Sequence, residues 1–125
     1  MTKYKIGEIY ETFEGTKDRP VVIINDGIGI DIDVNILRVT TKTPRNEFDI
    51  QLKHWKEAGL KRPSTVRCTK INTIKPGKTM IKVGRLHPED LKKVQEQMLW
   101  YFTKGFERAK AYTDGLECMN QDKER

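Results

Sequence analysis

The sequence has little cysteine and no long apolar run. Its two cysteines, Cys68 and Cys118, lie far apart and lack metal-ligating neighbours, so a disulfide scaffold is not expected and a reducing compartment fits better. The longest apolar runs have four or five residues, whereas a membrane-spanning helix needs about 20. The first ten residues also lack the apolar segment of a signal peptide. These absences predict a cytoplasmic protein without a membrane segment.

The familiar catalytic signatures are missing as well. The sequence has no glycine-rich dinucleotide loop, P-loop, HExxH or CxxC motif. A paired-histidine ribonuclease would need His54 and His87 in one pocket, whereas their positions favour a surface turn for the first and a helix boundary for the second. Asp31 and Asp33 lie in a glycine-rich loop, where they weakly suggest a two-metal site and also suit a solvated loop. We expect no metal and no cofactor.

Positive charge is concentrated in one stretch of the chain. The 125 residues are enough for one domain, and the net charge is +6. Residues 61–85 contain eight lysines and arginines and no acids, whereas the segments before and after them are each nearly balanced. Such a stretch attracts polyanions, of which nucleic acid is the most common. A solvated basic face without a partner is the alternative.

Hydrophobic patterning predicts a series of short strands. They are expected over residues 5–13, 20–24, 35–43, 47–52, 64–74 and 79–86. In the fourth of these, alternation places Phe48, Ile50 and Leu52 inward and Asp49 outward. The run Val21 to Ile24 is apolar without alternation, which predicts a strand buried on both faces.

Helical periodicity follows the strands. Apolar residues recur every three or four positions over 87–102, with Pro88 at the expected helix start, and a second helical stretch covers 103–113. Residues 114–125 are polar and are predicted to form a flexible tail. The fold class is therefore mainly β with C-terminal helices. We expect a small, bent antiparallel sheet or barrel with a helix packed at one side, and residues 1–113 as one domain.

The remaining candidates for catalysis are arginine side chains and hydroxyl groups. Arg19 opens the strand of the RPVV stretch, Thr40 and Thr41 end another strand, and Arg67 lies within TVRCT. Metal-free cleavage of RNA must neutralise the charge of a pentacoordinate phosphorane, and the planar guanidinium meets phosphate oxygens in pairs. Arginine is a poor general base because its pKa is above about 12. Surface or simple phosphate-contact roles for these residues are the alternative.

The order of four local patterns resembles the MazF/PemK (Kid-type) toxins of bacterial toxin–antitoxin pairs. They are RPVV, VTT, S-x-V-R-C-x-x-x-x-T-I and G-R-L-x-x-E-D-L-x-x-V, and the resemblance covers about residues 4–99. It implies an SH3-like barrel with a C-terminal helix, forming a homodimer. It also implies metal-independent, sequence-selective cleavage of single-stranded RNA through the 2′-OH, and a cognate antitoxin protein that blocks the RNA groove.

The resemblance assigns roles to individual positions. Arg19 matches the arginine of the R-P-x-V motif, Thr40 the threonine that supports the scissile phosphate, and Arg67 the arginine of the V-R-C motif, so these three are the predicted catalytic residues. The predicted RNA contacts are Lys17, Thr41, Lys42, Ser64, Thr69 and Lys70.

The chain also departs from the family pattern. Thr69 stands where the family has a carboxylate, which shifts the proton transfer toward Arg19. The loop over 13–18 is short, His87 replaces a serine or threonine, and about 25 residues follow the family's usual end. Two other functions are compatible with the same fold: a non-catalytic nucleic-acid-binding or regulatory module, and a gyrase poison of the CcdB type.

Overall fold

The computed structural model describes residues 4–14, 17–29, 32–74 and 80–123, with the backbone alone for 13, 14, 17, 18 and 117–123. Six strands and one helix follow in chain order: β1 (Glu8–Glu14), β2 (Lys17–Asn25), β3 (Val34–Thr40), β4 (Asp49–Gln51), β5 (Thr65–Ile74), β6 (Ile81–Arg85) and α1 (Pro88–Lys123). The strands pair in the order β4-β5-β3-β2-β1-β6, and every pairing is antiparallel.

A single antiparallel sheet with a C-terminal helix confirms the predicted fold class. Three of the strand pairs contain a register shift: β1 with β6 after Ile9, β2 with β3 after Ile23, and β3 with β5 after Leu37. Extra residues of this kind bend a strand and increase its twist. The shifts therefore favour the bent sheet that the short strands had predicted.

Both faces of the sheet are covered by apolar side chains. Neighbours on β2 point to opposite faces, so Val22 belongs to one core cluster while Val21 and Ile23 belong to another. All three are at most 2% exposed, which confirms a strand buried on both faces. Helix α1 covers the first cluster through Leu91 and Val94.

Pro20 does not begin β2 as predicted; the strand begins at Lys17. Pro20 pairs with Glu11 of β1, whereas the pairing of β2 with β3 begins one residue later, at Val21. The missing N–H of proline is tolerated in a strand where no ladder bond is needed. Pro20 therefore lies where β2 has a partner on one side only.

The burial of Asp49 is the main feature that the strand patterns predicted wrongly. The predicted strand over 47–52 is reduced to the three residues of β4, and Asp49 is 6% exposed instead of facing outward. Asp49 lies opposite Arg67 in the β4–β5 ladder. Alternation counts every carboxylate as solvent-facing, and it cannot detect a cation that is placed beside it by another strand.

The residues HWKEAGL, at 54–60, are typical of a helical turn that ends at a glycine, and the loop from β4 to β5 contains this turn. Ala58 N donates to His54 O at 3.1 Å, and Gly59 ends the turn with a φ of 92°. Asp31 lies outside the described residues, as does the KPGK stretch at 75–78, whose Pro-Gly pair predicts a turn.

Helix α1 begins at Pro88, as predicted, and its start is tied to the preceding loop. His87 Nδ1 accepts a hydrogen bond from the Glu89 N–H at 3.1 Å, which confirms the boundary role of this histidine. Asp90 is fully buried, and its two oxygens accept from Lys53 N at 3.1 Å and His54 N at 2.8 Å. The β4–β5 loop is thereby fastened to the helix.

The two predicted helical stretches are one continuous helix that extends to Lys123, so helical structure does not end at 113. Lys104 of α1 forms an ion pair with Glu47, which precedes β4, at 3.5 Å. Side chains from 106 to 116 are exposed. In the described part of the chain, no helix has the length and hydropathy required to cross a membrane. The flexibility of 114–125 and the domain boundary at 113 stay predictions.

Candidate active site

Five cationic side chains line one open groove of about 390 Å³. The groove lies where β3 ends and where β2 and β5 begin, and no acid is among its lining residues. Its lining consists of Arg19, Pro20, Arg38, Val39, Thr40, Thr41, Lys42, Arg45, Ser64 and Arg67. We call it the cationic groove. The three predicted catalytic residues, Arg19, Thr40 and Arg67, therefore lie in one place although they come from three strands.

Arg19 has a fixed backbone and an exposed side chain. It pairs with Thr12 in the β1–β2 ladder, and the buried Thr12 hydroxyl donates to the Arg19 carbonyl at 3.2 Å. The rigid ladder holds the position of its Cα, while the guanidinium is free to meet a ligand in the groove.

Thr40 ends β3 and shapes the loop that follows. Its Oγ1 accepts a hydrogen bond from the Lys42 N–H at 3.2 Å, which closes a short turn over Thr41. Because Oγ1 is the acceptor in this bond, its hydrogen can still be donated to a phosphate oxygen. Thr41 and Lys42 are exposed at the rim.

Arg67 is half-buried and lies beside the buried carboxylate of Asp49. Its Nε is 3.8 Å from Asp49 Oδ2, and the two side chains are 19% and 0% exposed. Arg67 also pairs with Arg38 of β3, so three charged residues lie side by side across β4, β5 and β3. Asp49 is the nearest compensating charge in this row.

Ser64 lines the groove, but its hydroxyl is used within the protein. It is buried, and Oγ donates to the Arg62 carbonyl at 2.8 Å. Its own carbonyl accepts from Leu52 N at 2.9 Å. These bonds hold the entrance to β5 beside the groove.

Three predicted contact residues are not placed in the groove. Thr69 and Lys70 lie further along β5 and do not line it. The side chain of Lys17 lies outside the described residues. The groove contains instead two arginines that the sequence reasoning missed, Arg38 and Arg45. Arg38 could have been found, because it precedes Thr40 by two residues and a strand places such neighbours on one face.

Cys68 follows Arg67 but cannot act as a nucleophile. It is fully buried, and burial together with the nearby Asp49 carboxylate raises the pKa of its thiol to about 12. The reactive form of cysteine is the thiolate. Cys68 is therefore a core residue at neutral pH.

The two histidines lie together at the start of α1, away from the lining of the groove. Their rings stack with centroids 3.8 Å apart. His54 Nδ1 is 3.1 Å from Glu57, and Nε2 is 3.0 Å from Glu89. We call these four residues, His54, Glu57, His87 and Glu89, the histidine cluster. The expectation of two unconnected roles was incomplete, since both histidines share one network.

The pKa shifts of His54 and Glu89 favour the charged forms of both side chains, which then form an ion pair. The hydrogen bond to Glu89 is the main cause that raises the pKa of His54, and the same bond lowers the pKa of Glu89. His54, Glu57 and His87 have potential metal-ligand atoms within 4.8 Å of one another. However, Nδ1 of His87 accepts from a backbone N–H and both nitrogens of His54 face carboxylates. These three nitrogens thus take part in hydrogen bonds within the cluster.

The chain belongs to the family of PemK-like, MazF-like toxins of type II toxin–antitoxin systems, which matches residues 7–102. This confirms the resemblance seen in the four sequence patterns. No curated protein matches the chain.

Three solved structures share the fold. The structure of an endoribonuclease with its cognate antitoxin, from a mycobacterial species, has a TM-score of 0.64 and 18% identity, covering 76% of this chain and 90% of that one. MazE–MazF from Deinococcus radiodurans has a TM-score of 0.63 and 12% identity, with the same coverage. The Mycobacterium tuberculosis toxin MazF-mt6 has a TM-score of 0.57 and 20% identity, covering 76% and 96%.

Proposed function

We propose that the protein is a metal-independent endoribonuclease toxin that cleaves single-stranded RNA in the cationic groove and is neutralised by a cognate antitoxin. The observation that carries the proposal is the meeting of Arg19, Thr40 and Arg67 in one groove, in a chain of the MazF-like toxin family. One relative of the same fold is itself an endoribonuclease.

The proposed reaction is an in-line transesterification. The 2′ oxygen loses its proton and bonds to phosphorus, the bond from phosphorus to the 5′ oxygen breaks, and that oxygen gains a proton. The products are a 2′,3′-cyclic phosphate and a 5′-hydroxyl. Arg19 and Arg67 meet the charge of the phosphorane, and the Thr40 hydroxyl donates to a phosphate oxygen. Thr69 is not a carboxylate and does not line the groove, so Arg19 is the residue proposed to assist proton transfer.

The groove continues into a second depression that can hold neighbouring nucleotides. This depression has a volume of about 520 Å³ and shares Pro20, Thr41 and Ser64 with the groove. Lys61, Arg62 and Lys82 line it together with one acid, Glu11, and with aliphatic side chains. The three cations suit a phosphate backbone, and the aliphatic side chains offer apolar surface to the bases. The groove and the depression together support selectivity for particular RNA sequences. They also support RNA contacts by Thr41 and Lys42. Contacts by Lys17, Thr69 and Lys70 stay predictions.

Cleavage of RNA in the presence of EDTA tests the proposal directly. The purified chain is incubated with a mixed-sequence RNA and EDTA, and the ends of the fragments are identified. We expect fragments with cyclic phosphates and 5′-hydroxyls. RNA that binds in a salt-sensitive way but stays intact would instead establish the non-catalytic module. Trapped gyrase–DNA complexes in cells that express the chain would establish the gyrase poison.

The antitoxin is the second proposed partner. Two relatives of the same fold were solved with their antitoxins. A groove with five cations and no acid attracts an acidic peptide as well as RNA. We therefore expect a cognate antitoxin to compete with RNA, so that adding it lowers RNA binding and cleavage together.

A homodimer is part of the same proposal, and helix α1 offers a surface for it. Beyond its contacts with the sheet, α1 exposes Leu99, Phe102 and Phe106 at steps of three and four residues, and Leu116 further along the helix. Pairing of two copies along this helix would remove these apolar side chains from water. Light scattering should give twice the mass of the chain, and Phe106→Glu should give the mass of one chain if this helix forms the interface.

A further inference from the structure

Asp49 is the one acidic side chain that approaches a predicted catalytic arginine in the described residues. Its carboxylate is completely shielded from solvent, yet it lies directly behind the cationic groove, 3.8 Å from Arg67 Nε. Burying a carboxylate is unfavourable unless it has partners. A residue this costly at this position needs a function that an apolar side chain could not provide.

The surroundings of Asp49 fix its orientation. Oδ2 accepts a hydrogen bond from the Arg45 N–H at 3.0 Å. The Asp49 N–H donates to the Asn46 side-chain oxygen at 3.1 Å, which closes the turn that leads into β4. The carboxylate is therefore held by the backbone of the same loop that supplies Arg45 to the groove.

One bond in this arrangement is missing. Asp49 Oδ1 and Arg67 Nε are both buried, and neither has a hydrogen-bond partner. The distance of 3.8 Å from Nε to Oδ2 is an ion-pair distance that is too long for a hydrogen bond. A hydrogen bond from Arg67 Nε–H to Asp49 Oδ1 would satisfy both atoms at once.

We propose that Asp49 is a positioning residue for Arg67, an inference that rests on the proposed RNA-cleaving function. Asp49 holds the Nε edge of the guanidinium inside the protein, so the remaining donors of Arg67 face the groove and the phosphate. Docking of the phosphate on those donors draws Nε–H into a hydrogen bond with Asp49. The carboxylate also offsets the repulsion between Arg67 and its cross-strand neighbour Arg38.

Kinetics of Asp49→Asn on RNA test the proposal. The amide keeps the size of the side chain and an acceptor for Arg45 N–H but removes the charge. We expect kcat to fall about 10-fold or more, with KM changed less than about twofold, because a misplaced guanidinium weakens transition-state contacts. In an Arg67→Ala background the same change should have no further effect on kcat. Glu47→Gln, an exposed acid two residues earlier, is the matched control and should leave kcat unchanged.

A measurement without catalysis separates this inference from the proposed function. In nuclear magnetic resonance spectra, the Arg67 Nε–H signal should be protected from solvent exchange, should shift downfield with a 2′-deoxy-substituted oligonucleotide, and should lose both properties in Asp49→Asn. If the wild-type chain does not cleave RNA but the signal is protected and is lost in Asp49→Asn, the proposed function fails while the Asp49–Arg67 link holds. An unchanged signal and kcat in Asp49→Asn, or an equal loss of kcat with and without Arg67, would overturn the inference. Should Asp49→Asn not fold, Asp49→Glu with the same readouts replaces it.

Discussion

The cationic groove and the histidine cluster differ in how far their charges are balanced by opposite charges. The groove brings five cations together, and the buried Asp49 carboxylate lies beside one of them, Arg67. The cluster surrounds His54 with the carboxylates of Glu57 and Glu89, and Lys53 also reaches Glu89 at 3.5 Å. In the cluster the charges satisfy one another, whereas in the groove positive charge is in excess. Only the groove is therefore suited to a polyanion, and the cluster serves the attachment of α1.

The largest effect should come from Arg19→Ala. Removing a preorganised donor that meets transition-state charge costs about 10²–10³ in kcat. We expect RNA cleavage to fall by that factor while the thermal midpoint stays near the wild-type value, because the side chain is exposed. Arg108→Ala, an exposed arginine on α1, is the matched control. Equal activity of Arg19→Ala and wild type would remove Arg19 from the catalytic set.

Asp90→Asn should lower the free energy of unfolding and leave RNA cleavage unchanged. The substitution removes one acceptor for the N–H groups of Lys53 and His54, and an unsatisfied buried donor costs about 1–3 kcal/mol. Urea unfolding should show a loss of that size, with the control Glu96→Gln, on the same helix, close to wild type. Cleavage per folded molecule should not change. A fall in kcat without a loss of stability would show that the attachment of the β4–β5 loop to α1 contributes to catalysis.

Lys42→Ala should change the salt dependence of RNA binding. Each phosphate contact that is lost reduces the slope of log K against log salt by about 1. Binding of a 2′-deoxy-substituted RNA to the variant should therefore be weaker at low salt and less sensitive to added salt. Lys56→Ala, near the histidine cluster, should keep the wild-type slope. The same reduction in both variants would show that RNA is not confined to the groove.

The smallest expected effect is the pH dependence of stability from the histidine cluster. Because folding raises the pKa of His54 above its ordinary 6.5, its contribution is complete below pH 6.5 and is lost as pH rises through the raised value. Folding lowers the pKa of Glu89, so its contribution is present above the ordinary 4.5 and is lost as pH falls through the lowered value. The urea midpoint should therefore decline above pH 6.5 more in wild type than in His54→Gln. Parallel pH profiles for the two proteins would show that the network does not contribute.

The sequence was informative where a feature depends on neighbours in the chain. Strand β5 and the start of α1 at Pro88 follow from alternation and local helix-start chemistry, so both were predicted. Arg19, Thr40 and Arg67 were found because each lies in a short motif. Their meeting in one groove depends on the order of β2, β3 and β5 in the sheet. The motifs do not encode this order, and the family resemblance alone implied that the three residues act together.

Features that depend on pairing across strands were missed. Asp49 was assigned to the surface because its burial is decided by Arg67, which is 18 positions away in the chain and directly opposite in the ladder. Among the described cations of residues 61–85, Arg67 lines the groove, whereas Lys61, Arg62 and Lys82 line the depression beside it. The other four cations of the groove come from β2, β3 and the loop after β3. The charge block in the sequence therefore located only part of the positive charge that surrounds the site.

The most direct test of the account is to map where RNA binds on the protein. Amide shifts of the ¹⁵N-labelled chain are recorded during titration with a single-stranded RNA in which 2′-deoxy substitution prevents cleavage. We expect the largest shifts at Arg19, at residues 40–45 and at Arg67, with little change at His54 and His87. Shifts centred on the two histidines, with the groove unaffected, would contradict the assignment of the active site.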